Sequence, residues 1–84
     1  MIVVILTGTA HEGEEYRKVA NLASADVIIP RTSRALDGLR LTDADLIVEF
    51  PSFEAHPQHD EVYAVLRRCL KKTRATTPWE RITG

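Results

Sequence analysis

The strongest constraint on the fold lies in the first six residues. Ile2-Val-Val-Ile-Leu6 is an unbroken β-branched and aliphatic run that Thr7-Gly8 ends. A strand with one wet face alternates apolar and polar residues. A strand without that alternation must be covered on both faces, as in a parallel sheet. Parallel neighbours cannot be joined by tight hairpins and need crossover segments, usually helical. The run is too short to span a bilayer and has no basic flank, so neither a signal peptide nor a membrane anchor is expected.

The remaining sequence supplies such crossovers. Between Glu12 and Ser24 the apolar positions Tyr16, Val19, Ala20 and Ala23 recur at helical spacing. Asp26 to Pro30 reads as a second strand, and Thr32-Ser33 caps a brief helix over Arg34 to Asp37 that Gly38 ends. Leu46 to Phe50 is a third strand, led into by the turn Thr42-Asp-Ala-Asp45 and stopped by Pro51. A second long helix follows, with Pro57 in its first turn and Asp60 and Glu61 near its positive end. Val62, Val65, Leu66, Cys69 and Leu70 lie on one of its faces. The order β-α-β-α-β-α predicts an α/β domain over residues 1–73, a small three-stranded parallel sheet with flanking helices of Rossmann-like type. Thr73 to Gly84 lacks periodicity, and residues 74–84 are expected as a tail or short edge segment from which Trp79 folds back onto the domain. A sheet this small has two edges, and pairing into a homodimer would hide one.

With 84 residues, 44% apolar and 27% charged, the chain is a single ordinary globular domain. Its net charge of −1 argues against coating nucleic acid by bulk charge. The single Cys69 cannot form an intramolecular disulfide and falls on an apolar helix face, so a reducing, cytoplasmic compartment is expected.

Ligand sites in open α/β sheets lie at the carboxyl ends of the strands, which places Thr7 to Gly13, Pro30 to Arg34 and Phe50 to His59 on one rim. There Gly8 and Gly13 have the spacing of a phosphate-binding loop, in which backbone amides and a helix N-terminus hold phosphate while Lys and Ser/Thr complete the site. Glu14 and Glu15 stand where that lysine and hydroxyl belong. Like charges ~4 Å apart repel by about 1 kcal/mol even in water. The loop therefore reads as a degenerate P-loop pattern whose glutamates serve the helix end.

The same rim carries Glu12, Glu14, Glu15, Glu49 and Glu54, candidates for a hard cation, together with His11, His56 and His59. Acidic residues in a first helical turn are expected for stability alone, and the histidine spacing is not that of a zinc site. No metal and no cofactor are implied. At the other end of the last helix, Arg67, Arg68, Lys71, Lys72 and Arg74 form a basic cluster. Arg67, Lys71 and Arg74 follow one stripe that could touch a phosphate backbone, although cations there also suit the helix dipole.

Two resemblances add expectations. The order of strand, helix, Val27-Ile-Ile-Pro30, Ala44-Asp-Leu-Ile-Val48, Pro51 and a helix bearing Glu61 resembles the nucleoside 2-deoxyribosyltransferases. That likeness implies Glu61 as a carboxylate nucleophile toward a sugar. The run Arg34-Ala-Leu-Asp-Gly-Leu-Arg-Leu-Thr-Asp-Ala-Asp-Leu-Ile-Val-Glu-Phe-Pro-Ser-Phe53, with the first strand, resembles small uncharacterised proteins of actinobacterial phages. It implies an accessory protein made in the host cytoplasm that binds a host or phage macromolecule. The sequence thus favours a protein-interaction module over an enzyme, with Thr9, His11, Glu14, Phe53, His56 and His59 as its interaction rim. Glu61 catalysis and nucleic-acid binding through Arg67, Lys71 and Arg74 are the alternatives.

Overall fold

The computed structural model describes residues 1–22 and 24–83. Its strands are β1 (Ile2–Leu6), β2 (Asp26–Ile28), β3 (Leu46–Glu49) and β4 (Trp79–Arg81), and its α-helices are α1 (Ala10–Val19) and α2 (His59–Thr73). Short 3₁₀ helices cover Ser33–Leu36 and Pro51–Ala55. All strand pairs are parallel, in the order β2-β1-β3-β4. The Rossmann-like α/β class is therefore present with four strands rather than three. The fourth comes from the segment expected as a tail or short edge segment, and it forms an edge strand with Ile47 opposite Trp79 and Glu49 opposite Arg81. Only Trp79 marks it in the sequence, because a three-residue edge strand has no room for periodicity.

From Val3 to Leu6 every side chain of β1 is 0% exposed, so both faces of this strand are covered. Alternation along the strands sorts the core into two layers. On one face Val4, Leu6 and Ile47 pack with Leu36, Leu41, Phe53, Val62 and Leu66. On the other Val3, Ile5 and Val48 meet Tyr16, Leu22, Val27, Ile29 and Phe50. The first layer is closed by α2 and both 3₁₀ helices, the second by α1.

Helix α1 is shorter than its periodicity predicts. The Thr9 hydroxyl caps its start, accepting from the Glu12 amide at 3.3 Å. Its end is a Schellman turn: Asn21 takes a left-handed φ of 53°, its amide donates to Lys18 O, and the Leu22 amide donates to Arg17 O. Val19, expected on the apolar face, is consequently 83% exposed, and Ala23 lies outside the described residues. In α2 the expected face is the packed one, with Val62 and Leu66 fully buried. Pro57 precedes this helix, and Gln58 is its N-cap residue.

The turn before β3 locks three elements together. One Asp45 oxygen accepts from the Ile2 amide at 2.7 Å and the other from the Thr42 amide at 2.8 Å and the Thr42 hydroxyl at 3.1 Å. The same turn reaches toward β4, since Thr77 Oγ1 donates to Thr42 O and the Thr76 amide donates to Asp43. Burial pushes the Asp45 pKa up, but its hydrogen bonds from Ile2 and Thr42, with the N-terminal charge, hold it below the ordinary 3.8. Its contribution to stability is therefore present above that ordinary value and is lost as pH falls through the lower folded value. We expect Asp45→Asn to cost about 2 kcal/mol at neutral pH, because an amide nitrogen would face donors. The same variant should flatten the loss of stability below about pH 4, as read from denaturant unfolding across an acid series.

Candidate functional site

Strand β1 is flanked by β2 on one side and β3 on the other, so the chain leaves the carboxyl ends of β1 and β3 in opposite directions. This is the switch point at which open α/β sheets present a ligand crevice. Here the protein's own side chains bridge the crevice. Ser52 Oγ accepts from the Gly8 amide at 3.1 Å and donates to Glu12 Oε1 at 2.5 Å. The Ser52 hydroxyl thus takes the position of an anion on the loop amide, and the carboxylate behind it is supplied by α1.

Close packing accounts for the glycine spacing. A Cβ on Gly8 would lie 2.6 Å from the backbone oxygen of Ser52, and one on Gly13 would lie 2.7 Å from Ile29 Cγ2. Gly8 therefore admits the 3₁₀ helix over the loop, and Gly13 admits the end of β2 against α1. Because α1 begins at Ala10, the glutamate of its first turn is Glu12. Glu14 and Glu15 instead sit one turn further along on the exposed side, near Arg17 at 3.8 Å and His11 at 3.7 Å. Exposed pairs of this kind contribute little.

The expected interaction rim divides. Thr9, His11 and Glu14 are exposed. Phe53 is 0% exposed and His56 is 7% exposed, so both are interior groups rather than surface contacts. The reason is the 3₁₀ helix over Pro51–Ala55, which turns the ring of Phe53 under α2. His56 donates from Nε2 to Pro30 O at 2.9 Å, while its Nδ1 accepts the Gln58 amide at 2.9 Å. That pair of bonds selects the neutral Nε2–H tautomer and ties the start of α2 to the end of β2. His59 is half-buried, its ring 4.9 Å from that of Phe53 and its Nδ1 3.0 Å from Asp60.

Glu49, expected among the carboxylates of the rim, is not free there. Instead β3 is an interior strand, and Glu49 points into the α2 face. Its carboxylate accepts the Tyr63 hydroxyl and, at 2.9 Å, Trp79 Nε1, with Arg81 Nε at 3.6 Å. Tyr63 stacks on Trp79, with centroids 5.8 Å apart, and meets Phe53 edge-on at 5.3 Å. The fold-back expected of Trp79 is therefore made on Glu49 and Tyr63, two residues whose pairing no local motif announces. Burial first, then the hydrogen bond and charge of Glu49, push the Tyr63 phenol up to about 12, against smaller opposing effects of Arg81 and Arg67.

Glu61 is exposed on the first turn of α2. Among the described residues, no group of three or more His, Cys, Asp or Glu is placed to hold a metal ion. Arg67 and Lys71 are exposed on α2 four residues apart, and Arg74 follows as the C-cap residue of that helix. The Arg67 guanidinium lies 5.6 Å from the centroid of the Tyr63 ring, and Arg74 leaves the helix with a left-handed φ of 55°. Arg40, Arg68 and Lys72 border a cleft of about 580 Å³ between residues 36–40 and the last turns of α2, and Arg40 and Arg74 border a second, more open concavity beside residues 41–44. Helical spacing of Arg68 and Lys72 was visible in the sequence, but the approach of Arg40 was not.

Fold and rim together define a small parallel α/β protein of Rossmann-like class whose switch-point crevice is closed by its own side chains. No protein-family model matches the chain, and comparison with curated proteins and with solved structures finds no match.

Gly8→Ala is expected to push the Ser52 backbone away and cost about 1–3 kcal/mol, whereas Ser52→Ala should cost less; thermal unfolding of the two variants checks the order. The Tyr63 phenol should titrate near 12, and Glu49→Gln should bring it down toward 10. Because the folded value is raised, the associated stability is complete below pH 10 and disappears as pH rises toward 12. Phenolate absorbance, with Tyr63→Phe as reference, reads both.

Proposed function

We propose that this chain is a protein-interaction module acting on a host or phage macromolecule in the cytoplasm. The observation that carries this reading is the Ser52–Glu12 pair seated on the Gly8 amide. The crevice in which an α/β sheet would ordinarily take a small substrate is bridged by the protein's own side chains, and surface outside it is left for recognition. The degenerate P-loop pattern is accounted for by packing at Gly8 and Gly13. The phage-type resemblance supports the same reading and supplies its biological setting. No helix is long and apolar enough to cross a membrane among the described residues.

The deoxyribosyltransferase reading assigns Glu61 as nucleophile. A nucleophilic carboxylate works beside an enclosed sugar site, and Glu61 stands exposed on an outer helical turn. Capture on the immobilised full chain from a host lysate, followed by mass spectrometry, should recover a specific protein set equally with wild type and Glu61→Gln. Base exchange on a 2′-deoxynucleoside by the wild type, abolished in Glu61→Gln, would replace this reading with the enzymatic one.

A further inference from the structure

The cleft bordered by Arg40, Arg68 and Lys72 lies at the end of the molecule opposite the closed crevice, because α2 runs back from the carboxyl ends of the strands to their amino ends. Its lining is sorted by polarity. Leu36 is buried, and Leu39, Val65 and Cys69 are partly so, while Arg40, Arg68 and Lys72 are exposed beside them. Val65, Arg68, Cys69 and Lys72 recur at helical spacing, so one strip of α2 supplies an apolar floor with a cationic margin. Three cations border the space against one carboxylate, Asp37. Among the described residues none of these three cations enters an ion pair. They therefore have charge to offer a partner.

We infer that this cleft receives an acidic protein segment, an aliphatic side chain entering the floor between Leu39 and Val65 while flanking carboxylates meet Arg40, Arg68 and Lys72. The inference rests on the interaction-module reading and names its partner's chemistry. The apolar floor and the lack of a stacking platform favour an acidic peptide over nucleic acid, and the helix end sets where its carboxylates lie. The lining residues include no aromatic group on which a nucleobase could stack. The helix end beside the cleft is the C-terminus of α2, whose carbonyls keep any anion at the margin with the cations rather than deep among them. Negative charge is thus welcomed at the margin and apolar volume at the floor. The cleft's size is within the range of pockets that enclose a compact ligand group. Complementary margin charges would also speed encounter and make binding salt-sensitive.

The test is selection from a random peptide display library on the full wild-type chain and on Arg68→Glu/Lys72→Glu, with matched thermal unfolding of both. Arg40→Ala and Lys72→Ala serve as milder variants should the double one fold poorly. Enrichment of Leu, Ile, Val or Met flanked by Asp or Glu is expected, with affinity falling about tenfold or more in the charge-reversed variant. Cys69, the single cysteine, provides the footprint: a selected peptide should slow its alkylation by iodoacetamide several-fold. Absence of enrichment, enrichment without acidic residues, unchanged affinity in the variants or an unprotected Cys69 would overturn the assignment. So would a single-stranded oligothymidylate that protects Cys69 better than any peptide, which would give the cleft to nucleic acid. If the lysate partners still bind Arg68→Glu/Lys72→Glu, the interaction reading stands on another surface and the cleft assignment fails.

Discussion

Burial of β1 on both faces is the requirement from which the other contacts follow, because α1 and α2 alone do not close two layers over four strands. On the α2 side the missing cover is made by Leu36 and Phe53, each delivered by a 3₁₀ helix, and by Trp79 from β4. On the α1 side a ten-residue helix is brought close by Gly13, whose lack of a side chain lets Ile29 approach. Gly8 in the first loop and Gly13 in α1 are thus consequences of the sheet's need for cover. Short chains bury a smaller share of their surface, so each of these small fillers carries more of the stability than it would in a larger domain.

Strand β3 is held at its two ends by carboxylates, and the two illustrate how charge is kept inside a small fold. Asp45 receives backbone and hydroxyl donors from Ile2 and Thr42, joining the beginnings of β1 and β3. Glu49 receives Tyr63 and Trp79, joining the end of β3 to α2 and to the edge strand. A buried carboxylate without partners would be costly, and with several donors it becomes a directional clamp. Because Ile2, Tyr63 and Trp79 come from other segments, each clamp is completed only by the tertiary fold.

The two ends of the sheet have different fates. At the carboxyl end, Ser52 accepts from the Gly8 amide and donates to Glu12, so the loop amide is satisfied within the fold. At the amino end, Arg40, Arg68 and Lys72 surround an apolar floor with no ion-pair partner among the described residues. Polar groups that are mutually satisfied hold structure together, whereas exposed unpaired cations remain open to solvent. That contrast moves attention from the glycine loop, the most conspicuous motif, to a cleft that no motif marks.

What the sequence determined by itself is local. The doubly covered first strand, the apolar face of α2 and the capping threonine at position 9 follow from hydrophobic period and from hydrogen bonding within a few residues. Even the end of α1 had a local marker in Asn21, a residue tolerant of the left-handed region. The tertiary structure decided the rest. Phe53, which reads as a loop aromatic, becomes a core ring; Glu49 turns inward; Trp79 founds a strand; and Ser52 closes the switch point. Each depends on a contact between segments far apart in the chain, such as Ser52 with Gly8 or Trp79 with Glu49. Periodicity reports which face of an element is apolar, but it carries no information about which distant segment will lie against that face.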